Sequence, residues 1–208
     1  MAILSIVGYW LLHDDKVSIH KTINAFVGNQ WIDEFFKYIT HVGDGIFAVI
    51  LVLILAYYNF RNSIFVLLSY IVASLVATVF KRIIYPDIFR PDFTFKFFVG
   101  EKLNLIDGIE MLSSNSFPSG HSTTAFAVFV ALAFLVKSNT SKVLFLVTAC
   151  VVAFSRTYIS QHWLIDVYVA SVIGTLSALL SYYIVFIKSN SDNLNLPFQE
   201  FLKQKKRV

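Results

Sequence analysis

His162 and Asp166 stand four residues apart, so on a helix they share one face. A carboxylate placed there can hold an imidazole by one nitrogen and leave the other free to react. Ser155-Arg156 precedes that histidine within the same stretch. A second histidine, His121, lies in the run Ser116-Phe117-Pro118-Ser119-Gly120-His121-Ser122. Pro118 and Gly120, followed by Thr123, Thr124 and apolar residues, describe a loop entering a helix N-terminus, where free backbone N–H groups and the helix dipole favour an anion. A third cluster is basic: Lys81-Arg82, then Arg90-Pro91. Each cluster also has a plain structural reading. Lys81 and Arg82 can be snorkelling ends of a helix, His121 an interfacial residue at an ordinary helix start, and His162–Asp166 a structural hydrogen-bonded pair. Together they describe something more specific. Lys81, Arg90 and Arg156, an anion-ready helix start and two histidines, one with a carboxylate partner, make a metal-free site for phosphoryl transfer. A metal chelated by His162 and Asp166 is disfavoured, because the same three cations would repel it. A nucleotide-binding loop is excluded, since no Gly-Lys-Ser/Thr occurs.

The elements that must position these residues are membrane helices. Of 208 residues, 57% are hydrophobic and 14% charged, against roughly 45–50% and about 25% in a soluble domain. The apolar residues recur in blocks along most of the chain, with no linker or repeat between them. The expectation is one unit over 1–208: an all-α integral membrane helical bundle of five to six spans with interfacial N-terminal helices. Apolar stretches at 45–60 and 63–80 read as a tight hairpin broken only at Arg61 and Asn62. The third stretch is 119–136. The fourth, 143–155, is short unless it runs on through Arg156 and Tyr158, and the fifth, 163–187, carries one acid, Asp166. Together 45–187 forms the expected catalytic core.

Residues 1–12 are apolar but reach only about 18 Å at ~1.5 Å per helical residue, short of a ~30 Å hydrocarbon core. They lack the basic flank and small-residue cleavage site of a secretory signal. Ile19, Ile23, Phe26, Ile32, Phe35, Ile39 and Val42 follow at helical spacing, so 1–42 is expected to lie at the interface or insert partway, without chemical duty. The single cysteine, Cys150, excludes an internal disulfide and a thiolate metal site.

Five spans put Arg61, the 137–142 link and the tail from 188 on one side. That side holds eight basic and two acidic residues, 8 − 2 = +6, and the other side 9 − 11 = −2. Basic residues mark the cytoplasmic face. The 188–208 tail is therefore expected in the cytoplasm as a basic anchor, and the 83–118 loop outside. This explains the net charge of +4 better than nucleic-acid binding does, because the basic residues form no stripe.

Ser116–Ser122 and Ser155-Arg156-x5-His162-x3-Asp166 resemble the second and third signatures of the type 2 phosphatidic acid phosphatase superfamily, matching each defining position. The first signature, Lys-x6-Arg-Pro, is matched with an offset: Arg90-Pro91 is present, but Ile83 occupies the lysine position, with Lys81 nine and Arg82 eight residues before Arg90. Two helical residues turn a side chain by about 200°, so for Lys81 to serve, the extra length must sit in the 85–89 loop. Lys81 is the preferred candidate and Arg82 its rival. The resemblance implies that His162 attacks phosphorus to form a phosphohistidine, that Asp166 fixes its tautomer, and that His121 protonates the leaving oxygen and then activates water. It also implies that Lys81, Arg90, Arg156, the Ser119 hydroxyl and the Gly120 N–H hold the phosphoryl oxygens, with no cofactor.

The expected activity is a membrane lipid phosphatase at the outer face of a bacterial cytoplasmic membrane. Phosphatidic acid, phosphatidylglycerol phosphate, a polyprenyl diphosphate and a lipid A phosphate all fit as substrates. Tyr85, Phe89, Phe93, Phe95, Phe97 and Phe98 read as an aromatic belt or as the lining of a lipid entry. Two rivals belong to other classes. One is an enzyme like the vanadate-dependent haloperoxidases, which share the signatures but are soluble; the other is a non-catalytic lipid-phosphate binder or transporter.

Overall fold

The structure, a computed structural model, describes residues 2–189 and 192–205. Lys206 and Arg207, part of the expected basic anchor, lie outside them. The described residues form helices and loops without a strand. Helices α1 (Ala2–His13), α2 (Lys16–Asn24) and α3 (Gln30–Ile39) come first, and a 3₁₀ turn, Thr40–Gly43, leads into α4 (Gly45–Tyr58). α5 covers Phe60–Val79 and continues through a π turn, Phe80–Ile84. A short α6 (Pro91–Thr94) and a π turn, Phe95–Val99, precede a long stretch without helix that ends at α7. The remaining helices are α7 (Gly120–Leu135), α8 (Asn139–Tyr158), α9 (Leu164–Tyr182), which extends in a π turn to Lys188, and α10 (Phe198–Lys205).

Among the described residues three helices are long and apolar enough to cross a membrane: Phe60–Ile84, Asn139–Tyr158 and Leu164–Lys188. The pair Gln30–Gly43 and Gly45–Tyr58 qualifies jointly, bent by 56° at its break, and Gly120–Leu135 is apolar but shorter. The fourth expected stretch does run on through Arg156 to Tyr158. α3, expected as an interfacial helix, forms one arm of that bent pair.

The bundle buries small residues and turns large ones outward, as expected where lipid is the solvent. Ala125, Ala127, Ala131, Ala170 and Ala178 are fully buried, whereas Ile46, Leu53, Leu75, Leu144 and Leu176 are exposed. Gly174 shows how tight the α7–α9 contact is: a Cβ there would lie 2.6 Å from the Thr123 carbonyl oxygen and 2.7 Å from Phe126 Cβ. The α4–α5 hairpin closes through Ser63, whose hydroxyl donates to the Val52 carbonyl at 2.8 Å. Arg61 donates to the carbonyls of Val185 and Ser189, so the hairpin turn sits beside the end of the α9 extension. This is the end opposite the starts of α7 and α9.

Candidate active site

Four chain segments converge at that opposite end: the starts of α7 and α9, the end of α8 and the end of α5. α7 begins at Ser119, whose hydroxyl accepts from the Ser122 N–H at 3.4 Å and exchanges a 2.8 Å bond with the Ser122 hydroxyl. Gly120 occupies the first helical position, where a backbone N–H has no acceptor within its own helix. α9 begins at Trp163, whose N–H donates to Asp166 Oδ2 at 3.0 Å, so Asp166 caps the helix and faces back toward the preceding residue, His162. The Ser119 N–H donates to the Asp166 carbonyl at 3.3 Å, which ties the two helix starts together.

His162 and Asp166 are 2% and 1% exposed, with Nδ1 3.4 Å from Oδ2. That separation is longer than a formed hydrogen bond, and Nδ1 has no other partner. The carboxylate is already fixed by its other bonds, from Trp163 N–H and from the Ser116 hydroxyl at 2.5 Å. It therefore stands ready for a proton on Nδ1 once the ring gains charge. Burial, then the positive charges of Arg90, Arg156 and Lys81, hold the His162 pKa well below the ordinary histidine range, so the ring is neutral at physiological pH.

The three cations lack carboxylate partners. Among the described residues none of Lys81, Arg90 and Arg156 forms an ion pair. Arg90 donates through Nη1 to the Gln161 carbonyl and to Gln161 Oε1, at 3.0 and 2.7 Å, and through Nε to the Ser114 carbonyl at 3.0 Å. Arg156 is 8% exposed; its Nη1 donates to the Thr40 hydroxyl at 2.8 Å, and its Nε is buried without a partner. Buried guanidinium hydrogens left open in this way are suited to an oxyanion. Lys81 lines a cavity of about 220 Å³ with His121, Gly120, Thr124, Asp44 and Thr78. His162, Asp166, Arg90, Arg156 and Ser119 do not line this cavity and are buried.

Lys81 faces that cavity, whereas Arg82 is exposed and does not line it. The offset from the first signature is taken up partly within the helix: the Tyr85 N–H bonds the Phe80 carbonyl at 2.8 Å, a π turn that adds a residue before the 85–89 loop begins. The added length is therefore not confined to that loop.

Three contributions escaped the sequence reading. Asp44, between two glycines at the head of α4, places Oδ1 2.7 Å from His121 Nε2. Thr40 holds Arg156 and Gln161 holds Arg90. Thr40 belongs to the 1–42 segment, whose pattern pointed to no chemistry, and Asp44 lies just beyond it. The only local signal was Gly43-Asp44-Gly45, a polar kink before an apolar run. Among the described residues no group of three His, Cys, Asp or Glu side chains comes together as a metal site.

The family model described as PAP2 superfamily matches residues 62–189. The fold resembles the crystal structure of LpxE from Aquifex aeolicus, at 22% identity and a TM-score of 0.68, over 79% of this chain and 92% of that one. It also resembles the first transmembrane PAP2-type phosphatidylglycerolphosphate phosphatase from Bacillus subtilis, at 26% identity and a TM-score of 0.66, over 91% of this chain and 95% of that one. Among curated proteins none matches the sequence.

Proposed function

The chain belongs to the PAP2 superfamily, and from that premise we propose that it is an integral membrane phosphatase releasing the terminal phosphate of a lipid through a phosphohistidine. One observation carries the reading. Lys81, Arg90 and Arg156 gather without a carboxylate partner around a buried, neutral His162 that has its own carboxylate behind it. An anion with three peripheral oxygens is what this set lacks.

In the first step His162 Nε2 attacks phosphorus, opposite the lipid oxygen. The N–P bond forms as the P–O bond breaks, and His121 gives its proton to the departing oxygen. Asp166 takes the Nδ1 hydrogen bond and stabilises the positive charge on the ring. Lys81, Arg90, Arg156, the Ser119 hydroxyl and the Gly120 N–H hold the equatorial oxygens, where transition-state charge resides. In the second step His121 removes a proton from water, the water oxygen attacks phosphorus, and the N–P bond breaks to return neutral His162. The proton count closes on His121.

Charge placement supports a site facing outward, with the chain's C-terminal end in the cytoplasm. The phosphatidylglycerolphosphate named in the Bacillus subtilis structure makes a glycerophospholipid monoester the first substrate to test, ahead of a polyprenyl diphosphate or a lipid A phosphate. Phosphate release from such a panel, in detergent with excess chelator, tests the reading. Turnover by the wild type and none by His162→Ala is expected. Activity lost on chelation, or retained in full by the variant, would contradict it.

A further inference from the structure

Asp44 is the carboxylate that touches His121, and the reaction as written does not use it. An aspartate at a helix N-cap ordinarily accepts from the first-turn N–H groups, a bond worth about 1 kcal/mol. The Asp44 side chain makes no such bond, although it caps α4. Both its oxygens go to histidines instead: Oδ1 lies 2.7 Å from His121 Nε2, and Oδ2 3.0 Å from His41 Nδ1. The approach depends on its neighbours. A Cβ on Gly43 would sit 2.9 Å from both the His121 carbonyl oxygen and Val152 Cγ1, and a Cβ on Gly45 would overlap the Tyr70 hydroxyl. The 56° break between the two arms of the bent pair falls at this residue.

We infer that Asp44 is the positioning residue of the acid–base histidine, holding His121 Nε2 so that Nδ1 faces the leaving oxygen and opposing the cations beside the ring. This rests on the phosphatase reading above, in which His121 supplies the proton. The charged and titratable groups that face His121 are Asp44 at the head of α4, His41 in the turn before it, Lys81 on α5 and Arg156 on α8. Of these only Asp44 favours the imidazolium. Without it no neighbouring charge opposes the burial and the cations that disfavour the imidazolium the first step demands. Asp44 transfers no proton, because His121 recovers from water the proton it gave to the lipid oxygen.

The test compares two leaving groups. A lipid alkoxide needs a proton to depart, whereas p-nitrophenolate departs without one. Asp44→Asn keeps the shape and removes the charge. It is expected to lower kcat on the lipid phosphate by about 10- to 100-fold, a part of the 10²–10⁴ that acid catalysis supplies. On p-nitrophenyl phosphate it should lower kcat much less. The alkaline limb of its pH profile should move to lower pH, and Asp44→Glu should restore part of the difference. Equal losses on both substrates with an unmoved limb would make Asp44 structural and overturn the inference. If Asp44→Asn does not fold, wild-type protein with isotope-labelled histidine and bound inorganic phosphate decides by NMR: His121 is expected to carry protons on both ring nitrogens, with Nε2–H bonded to a carboxylate, and a neutral ring would contradict the inference. His121→Ala separates the two levels when the first, enzyme-phosphorylating step is timed by itself, since equal losses on both substrates in that step would sink the assignment of His121 as the acid, and with it the premise.

Discussion

His162 with Asp166 and His121 with Asp44 are two histidine–carboxylate pairs a short distance apart, and they differ in surroundings. His162 and Asp166 are 2% and 1% exposed; the side chains of His121 and Asp44 are 30% and 35% exposed. In the buried pair the carboxylate is saturated by Ser116 and Trp163 and stands 3.4 Å off, beside a ring that burial and three cations keep neutral. In the open pair the carboxylate is at 2.7 Å, and its other oxygen reaches the exposed His41. The same two side chains thus suit different duties, a fully buried nucleophile and a more accessible proton carrier, because environment and not residue type sets the role.

Substitutions can break that contrast, beginning with the largest effect. His162→Ala should reduce phosphate release by about 10⁴-fold or more, the scale of losing a member of a catalytic triad, with the protein still folded by thermal melting. Arg156→Ala removes a donor whose buried Nε awaits an oxygen, and should cost about 10²–10³ in kcat. Lys81→Ala should fall in the same range while Arg82→Ala stays near wild type in the same phosphate assay; the reverse order would move the first signature by one residue. Ser116→Ala loosens Asp166 and should cost about tenfold, equivalent to one hydrogen bond of ~1.4 kcal/mol, with no change in the alkaline limb that belongs to the open pair. The smallest effect is a shift in pH. His162 must be neutral and its pKa lies below 6.5, so the wild-type acid limb should fall below that value. Removing Arg90 takes away a positive charge that disfavours the imidazolium, so its acid limb should move upward.

The buried pair was legible in the sequence because residues four apart stay close at a helix start, although His162 lies just before α9 and Asp166 meets it by folding back as that helix's cap, and Ser119-Gly120 before an apolar run marks a helix start. The span boundaries from 45 onward followed from uncharged runs. The register of Lys81 was harder, since a π turn alters spacing without a signal in composition. The open pair was not legible. Asp44 meets His121 across a sharp bend between two glycines, and neither the bend nor the partner leaves a periodicity in the chain. Thr40 and Gln161 escaped for the same reason: each acts on an arginine far away in sequence, through contacts that exist only after packing.

The central claim is that His162 carries the phosphoryl group. Wild-type protein mixed with a lipid phosphate radiolabelled in its phosphate, quenched in alkali and digested, should show label on the peptide containing His162, and none in His162→Ala. Turnover with no labelled histidine, or with label on another residue, would contradict the account.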